Sequence, residues 1–329
     1  MLRYLLRKAL GWFAMIVVAT NLTYFLASFF LDPRANYLQL RPPRTAEQIA
    51  RSLAQYNLDP NTPLLQRWWD WISGIVLRWD WSYSPIGESV NTQIAFRVGV
   101  SAQLVVCSLI LSTSIGIALG VYTASRQYRF ADRLHQGLSI ITLNTPTVVA
   151  SLAVVLLAIA LNQSLGGTLL YVAGAQSPTV SGFWPTVVDR IQHLVLPTIS
   201  LTVISYAGYH LLQRSLLLDT INSDYVRMAR AKGLTRQVAI RRHGLRTSLI
   251  PVATSIAFAI PALFTGAVIT ETIFAWQGMG QYFTLTISKN DVHGAVAVAA
   301  FGALMTAVGA ILADIAVVVL DPRVRVTGS

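Results

Sequence analysis

The chain has 329 residues, of which 54% are apolar and 12% are charged. A soluble domain carries about twice that charged fraction, so the composition excludes a soluble globular protein and indicates a polytopic membrane protein. The net charge of +11 would suggest a nucleic-acid partner on a soluble protein, but here the charges lie between apolar segments and predict no nucleic-acid partner.

Six segments have the roughly 20 apolar residues that a helix needs to cross a bilayer. In chain order they are residues 9–31, 100–124, 138–162, 195–218, 249–275 and 294–320. The first follows basic residues, as a signal peptide's core does. It is longer than such a core and lacks a small-x-small cleavage site, so we predict an uncleaved first span. The expected fold class is an all-α, multi-pass membrane protein with a transmembrane core over 100–320.

The basic residues predict the orientation of these spans. Most of the 25 Lys and Arg residues lie on one set of faces, formed by residues 1–8, 125–137, 214–247 and 321–329. On the opposite faces, acidic residues nearly cancel the basic ones. We therefore expect both termini and residues 219–247, which we call the basic segment, to be cytoplasmic.

Residues 32–99 form the one large external loop in this topology. Thr45 and Gln48 form a capping-box pattern that predicts a helix start, and the sequence "NLDPNTP" ends that helix. Residues 64–83, here called the Trp-rich segment, hold Trp68, Trp69, Trp71, Trp79 and Trp81. Because Trp favours the membrane–water interface, this segment is expected either flat on the outer surface or as a lid against the external span ends, and both can hold together.

The sequence contains no G-x-x-x-x-G-K-[S/T] phosphate loop, no H-E-x-x-H motif and no Cys/His cluster. We therefore predict no catalytic, cofactor or metal site in this chain. His210 near Ser205 and Ser215 raises the alternative of an intramembrane protease. However, no serine lies in a G-x-S-x-G setting, which favours a hydrogen-bonded packing role for His210. For Glu271 and Asp314, internal pairing is favoured over a proton path.

The basic segment has regular helical features. Asn222, Ser223 or Asp224 can cap a helix that starts near Tyr225. Gly233 suits the left-handed residue that ends such a helix, and Thr235 can cap a second one. The i, i+3, i+4, i+7 spacing of Tyr225, Met228, Ala229 and Lys232 predicts that these four residues share one face of the first helix.

Two interpretations of this shape are open. A short helix with an apolar face and arginines can dock in a groove of a partner protein. Alternatively, the charges anchor the loop on anionic lipid, which is what charge alone favours.

The stretch "DYVRMARAKGLTRQVAIRRHGLRTSLIPVAT" resembles the cytoplasmic signature loop of permease subunits in binding-protein-dependent ABC importers, of the dipeptide/oligopeptide branch. The resemblance covers nearly the whole chain, including "MLRYLLRKAL", "NLDPNTPLLQRWWDWISGIVLRWDWSYS", "TETIFAWQGMGQYF" and "VVVLDPRVRV". It implies the six-helix type I permease fold with a helical external loop between the first two spans.

The sequence departs from the general importer signature in two places. The Glu-Ala-Ala positions hold Arg227, Met228 and Ala229, while the following Gly is kept as Gly233. The closing Ile-x-Leu-Pro falls on residues 243–246, which read His-Gly-Leu-Arg. Both changes fit the peptide branch. In the external loop, the branch's usual Gly-Asp-Phe-Gly appears as "WDWS".

The resemblance implies a non-catalytic subunit of a peptide importer in the cytoplasmic membrane. Its partners would be a second, related permease, two cytoplasmic ATPases that bind ATP and Mg, an external substrate-binding protein and membrane lipid. The alternatives are a permease of the same branch for a nickel chelate or glutathione, or a membrane scaffold with no transport role.

The resemblance also assigns site residues. The residues expected to couple to an ATPase are Asp224, Tyr225, Arg227, Met228, Ala229, Ala231, Lys232, Gly233, His243, Leu245 and Arg246. The residues expected to contact the binding protein are Trp79, Asp80 and Trp81.

Overall fold

A computed structural model describes residues 2–38 and 40–320, with side chains described for 7–38, 40–257, 259 and 267–315. All regular elements in that part of the chain are helical, in agreement with the all-α prediction. The helices are α1 (Leu2–Phe30), α2 (Ala35–Leu38), α3 (Ala46–Ala54), α4 (Leu64–Arg78), α5 (Val90–Ala124), α6 (Phe130–Leu143), α7 (Thr147–Leu165), α8 (Phe183–Ile221), α9 (Asp224–Ala231), α10 (Arg236–Ala239), a π-helical turn (Ile240–Gly244), α11 (Leu245–Ile273), α12 (Met279–Ser288) and α13 (Val292–Leu320).

Five helical segments in the described part of the chain are long and apolar enough to cross a membrane. They are Arg7–Leu38, Val90–Ala124, Thr147–Leu165, Phe183–Ile221 and Val292–Ile315. The remaining expected span, 249–275, corresponds to α11, a 29-residue helix whose side chains are described only in part. A total of six spans therefore stays a prediction, and the expected tail 321–329 lies outside the described residues.

The third expected span, 138–162, is divided in the structure. Its first residues belong to α6, which ends at Leu143, and α7 begins only at Thr147. Pro146 explains the break, because proline disfavours helical backbone at the preceding residue and cannot donate a helical hydrogen bond. The apolar run is continuous across this break, so composition alone does not reveal it.

The first compact unit comprises Met1–Ala102 and Ala275–Ala307. The predicted capping box at its α3 is present, with Gln48 N–H donating to Thr45 Oγ1 at 3.3 Å and Thr45 N–H donating to Gln48 Oε1 at 2.9 Å. Trp71 of α4 is 2% exposed and stacks on the ring of Tyr24 in α1 at 4.6 Å. Trp68 Nε1 donates to Asn21 Oδ1 at 2.6 Å. The Trp-rich helix therefore packs against the candidate span that contains α1, while its position outside the membrane stays a prediction.

The second compact unit comprises Gln103–Phe274 and Val308–Ser329. In it, α5 and α8 approach each other closely at two glycines. A Cβ added at Gly116 would lie 2.5 Å from Tyr209 Cβ, and one added at Gly120 would lie 2.7 Å from Gln213 Cβ. These residues form a small-x-x-x-small pattern, which lets membrane helices pack backbone to backbone. The sequence prediction missed this contact, although the four-residue glycine spacing was a readable signal.

Buried polar contacts join α8 to its neighbours in the same unit. His210 is fully buried, with Nδ1 2.7 Å from Ser139 Oγ on α6 and Nε2 3.0 Å from Thr123 Oγ1 on α5. One turn along α8, Gln213 Nε2 donates to Ser248 Oγ on α11 at 2.9 Å. His210 is thus a hydrogen-bonded packing residue, as the sequence favoured, and its partners are not the serines of the protease alternative.

An ion pair between α8 and α6 lies next to these hydrogen bonds. Arg214 on α8 donates to both carboxylate oxygens of Asp132 on α6, at 2.7 and 2.9 Å, and Tyr128 N–H donates to the same carboxylate at 2.8 Å. Asp132 is 1% exposed. The hydrogen bonds from Arg214 hold the pKa of Asp132 below its ordinary value, against the opposing effect of burial. The ion pair fixes α6 against the last turns of α8.

We expect Gly116→Ala to destabilise the protein and Gly208→Ala on α8 to serve as its control. The added methyl group at Gly116 has no room against Tyr209, so overpacking should cost about 1–3 kcal/mol. A Cβ at Gly208 meets nothing within 4 Å, so that change should be neutral or stabilising through helix propensity. Thermal unfolding in detergent measures the stability of both variants. Equal stability of the two would contradict the close packing at Gly116.

We expect Asp132→Asn to lower the free energy of unfolding by about 1–3 kcal/mol, because it leaves the partly buried Arg214 guanidinium without a counter-charge. The folded-state pKa of Asp132 lies below its ordinary value of 3.8. The pair therefore stabilises fully above that pH and loses its contribution as the pH falls below it. The wild type should lose more stability than Asp132→Asn on acidification.

A double-mutant cycle with Arg214→Met isolates the interaction between the two side chains. A coupling free energy near zero in denaturant unfolding, or an acid dependence that is equal in wild type and Asp132→Asn, would contradict this role.

Candidate functional site

Helix α9 forms the first half of the basic segment. It begins at Asp224, next to the predicted Tyr225, with Ser223 in the N-cap position. The Ser223 hydroxyl does not cap the helix; it donates to Thr220 O at 2.6 Å. Asp224 in the first turn forms an ion pair with Arg227. Its negative charge also complements the positive end of the helix dipole.

The end of α9 depends on Gly233. Its φ of +90° is the left-handed conformation predicted for it from the sequence. Gly233 N–H donates to Arg230 O at 3.0 Å, and Leu234 N–H donates to Ala229 O at 3.3 Å. These two bonds form a Schellman motif, which satisfies carbonyls at the helix end and turns the chain back. The Leu234 side chain packs against the same apolar cluster as α9.

One face of α9 is buried against its own chain. Val226 and Ala229, with 2% and 7% exposure, pack in a cluster with Leu217 and Ile221 of α8 and Ala124 of α5. The expected face of Tyr225, Met228, Ala229 and Lys232 is therefore corrected. Ala229 points into the cluster, and its neighbour on the inner face is Val226. Helical spacing shows which residues share a face of a helix. It cannot show which of two adjacent faces packs against the rest of the chain.

The opposite face of α9 is exposed. Tyr225 is 38% and Met228 58% exposed, and these two side chains form an apolar ridge. The other exposed residues of the predicted site on this turn of chain are Asp224, Arg227, Ala231, Lys232 and Gly233. A cleft of about 330 Å³ beside the helix is lined by Arg227, Arg230 and Arg236 together with Asn222. An apolar ridge flanked by guanidinium groups suits a protein surface with acidic side chains.

The second half of the basic segment leads directly into α11. Thr235 caps α10 as predicted, accepting a bond from Val238 N–H at 3.5 Å. A π-helical turn follows, in which Gly244 is buried and its backbone lies against Leu217 and Val226. His243 and Arg246 are exposed, while Leu245 is half-buried. The residues predicted to couple to an ATPase thus lie within the single stretch 224–246. The exposed ones are on α9, in the turn after it, in the π-helical turn and at the start of α11.

The residues Trp79, Asp80 and Trp81 lie in the first unit, just beyond α4. Trp79 has φ +56° and is 70% exposed, whereas Trp81 is partly buried against the cluster around Trp71. Asn91 holds this turn, since its Oδ1 accepts from Trp81 N–H at 2.8 Å and its Nδ2 donates to Trp79 O at 2.5 Å. The turn therefore presents one indole outward and uses the other for packing.

Among the described residues, no three His, Cys, Asp or Glu side chains form a group that could hold a metal ion.

Comparison with known proteins identifies the chain's relatives. The oligopeptide transport system permease protein OppB of Mycobacterium tuberculosis is 38% identical over 328 residues, covering 99% of this chain and 100% of the relative. AppB of Bacillus subtilis, also an oligopeptide transport system permease protein, is 30% identical over 99% of this chain and 100% of its own length. The dipeptide transport system permease protein DppB of Escherichia coli is 30% identical over 85% of this chain and 86% of its own.

The family described as "Binding-protein-dependent transport system inner membrane component" matches residues 116–326, which include the basic segment and most of the second unit. That match covers more than half of the sequence, and the relatives extend it to nearly the whole length. The chain belongs to this family of inner-membrane components of binding-protein-dependent transport systems.

Proposed function

We propose that this chain is the permease subunit of an ATP-driven importer of peptides and forms half of its translocation pathway. The observation that carries the proposal is the full-length similarity to permeases of oligopeptide and dipeptide transport systems. The chain itself is non-catalytic in this proposal. Its sequence has no phosphate loop, so ATP and Mg bind to partner subunits.

The proposed topology has six spans with both termini in the cytoplasm. Five spans are the apolar helical segments described above, and α11 is the sixth. The basic segment is then cytoplasmic, in agreement with the excess of Lys and Arg that cytoplasmic loops of membrane proteins carry. Helix α8 has 39 residues, or about 58 Å, which exceeds the roughly 40–45 Å of a whole bilayer. Its last turns can therefore carry α9 beyond the membrane surface.

In this proposal, the exposed ridge of α9 docks on a cytoplasmic ATPase. The inner face of α9 is packed on Leu217 and Ile221, so a displacement of α9 is passed to α8 through close-packed side chains. Switching a transporter from about 1:99 to 99:1 between two states needs roughly 5.5 kcal/mol of differential interaction. ATP-driven closure of two ATPases around a docked helix can supply it, whereas an anchor on lipid cannot.

The complex we propose contains a second, related permease, two ATPases and an external substrate-binding protein. The turn at Trp79–Trp81 is proposed to receive the binding protein, with Trp79 as the exposed contact. Peptide is the proposed cargo because the relatives are named for it. A nickel chelate or glutathione is the alternative cargo, and transport assays with each would separate them.

The first test of this function changes the end of α9. Gly233→Val places a β-branched residue at φ +90°, where left-handed backbone costs about 1–2 kcal/mol, so the Schellman turn should be lost. We expect the variant to reach the membrane but to lose ATPase subunits on co-purification and to lose ATP-dependent peptide uptake in proteoliposomes.

Gly233→Asn is the matched control, since asparagine tolerates the left-handed conformation and should retain both properties. Normal ATPase recovery and normal uptake by the Val variant would refute the coupling role. Recovery of the wild-type chain without any ATPase would favour the membrane-scaffold alternative.

A second test concerns the external turn. We expect Trp79→Ala to weaken stimulation of the complex's ATPase activity by the substrate-binding protein, because the exposed indole is a large apolar contact. Trp69→Ala is the control, because this indole is 63% exposed on α4, away from the turn. Equal stimulation of both variants and the wild type would remove the assigned contact.

A further inference from the structure

A basic groove of about 590 Å³ lies in the first unit, between the chain that precedes α3 and one face of that helix. Its walls carry the guanidinium groups of Arg41, Arg44 and Arg51 and no carboxylate. The amide of Gln48 and the hydroxyl of Ser52 also border it. Every polar side chain of the groove can therefore donate a hydrogen bond, which indicates a negatively charged occupant.

The packing of α3 determines which of its side chains border the groove. Ile49 and Leu53, with 6% and 0% exposure, lie in the apolar core of the first unit. Gln48, Arg51 and Ser52 are spaced three and four residues apart, so they share a different face of the helix. Because the apolar face is anchored in the core, the backbone that carries the groove-facing side chains is held in place.

Arg44 is oriented by contacts within the chain. Its Cζ lies 5.2 Å from the centroid of the Tyr37 ring, and its Nη1 donates to Ser52 Oγ at 3.2 Å. Tyr37 is itself 7% exposed, and its hydroxyl donates to Pro85 O. A guanidinium carries five N–H donors, so others remain for a ligand. An arginine that is already oriented loses less conformational entropy when it binds an anion.

Two of the three positive charges are not neutralised within the described part of the chain. Neither Arg41 nor Arg44 forms an ion pair there, whereas Arg51 pairs with Glu47 one turn before it on α3. Positive charges that lie close together repel one another. An acidic partner would therefore relieve this repulsion and accept the hydrogen bonds that the groove offers.

The walls of the groove favour an acidic protein surface over a lipid headgroup. A lipid phosphate brings acyl chains with it, and for these the walls offer only Leu40 and two prolines. Arginine binds carboxylates in a bidentate manner and is enriched in protein–protein interfaces. The family of this chain depends on a binding protein. In the proposed topology, residues 32–99 lie on the external side, where we also place that protein.

We propose that the groove of Arg41, Arg44 and Arg51 receives an acidic segment of the external substrate-binding protein. The inference rests on the proposed function, which supplies the partner and the external position of the loop. It adds to the contact proposed at Trp79 a second one of different chemistry, with carboxylates against guanidinium groups. Charges of this kind act at long range, so the groove should mainly raise the association rate of the binding protein.

Binding kinetics test the groove on the complete transporter in phosphatidylcholine nanodiscs, with the substrate-binding protein of the same transport system as the probe. Biolayer interferometry measures the association rate constant at increasing NaCl concentrations. We expect Arg41→Gln/Arg44→Gln to lower this rate constant about tenfold at low salt and to reduce its salt dependence. Arg34→Gln is the matched control, because Arg34 lies outside the groove and is already paired with Asp32.

Zero-length crosslinking identifies what occupies the groove. Arg41→Lys keeps the positive charge and supplies an amine, which a carbodiimide joins to a carboxylate in direct contact with it. We expect crosslinked peptides between position 41 and an acidic residue of the binding protein in mass spectrometry. Arg34→Lys should give no such peptide. This test does not depend on the removal of a side chain that holds the loop together.

Unchanged association kinetics of the double variant, or no crosslink from position 41, would overturn the proposal if the wild-type transporter still binds the binding protein. A wild-type transporter that does not bind it would contradict the proposed function as well, so the two failures are distinguishable. Native mass spectrometry after release from phosphatidylglycerol nanodiscs tests the lipid alternative. A lipid that is lost in the double variant, with unchanged association of the binding protein, would assign the groove to a headgroup and overturn the proposal.

Discussion

The close approach of α5 and α8 at Gly116 and Gly120 is the constraint on which the second unit depends. Between membrane helices there is little hydrophobic driving force, so contact area and buried polar bonds decide the packing. The glycines allow the backbones to meet. The contact also brings Thr123 within reach of His210 on α8, which bonds Ser139 of α6 on its other side. Packing and hydrogen bonding thus specify the same arrangement.

This arrangement determines where the basic segment lies. The Asp132–Arg214 pair fixes the last turns of α8, and the apolar cluster around Leu217 then holds the inner face of α9. The outer face, with Tyr225 and Met228, is left free for a partner. A helix that is close-packed on one side and exposed on the other is suited to pass a force from a docked protein into the membrane core. This property links the family assignment to the proposed coupling role.

The first unit contains the large loop that we propose lies on the external side of the membrane. The Trp-rich helix buries Trp71 against Tyr24 and leaves Trp69 and Leu77 exposed. Its end turns outward at Trp79, which is 70% exposed. In the turn that follows, Trp81 serves packing and Trp79 is left for the proposed protein contact.

The sequence by itself determined the features that depend on local chemistry: the apolar helices, the capping box at Thr45, the left-handed turn at Gly233 and the cap at Thr235. Each of these follows from a side chain or a backbone preference acting over a few residues. Only the tertiary structure decided that Val226 and Ala229 face inward, that the partners of His210 are Ser139 and Thr123, and that Gly116 and Gly120 are contact points. These depend on which neighbour covers a face, and that is set by residues distant in the chain. The break before α7 belongs partly to each group. Pro146 is a local sequence feature that favours a break, but the apolar run continues across it, so hydropathy does not indicate one.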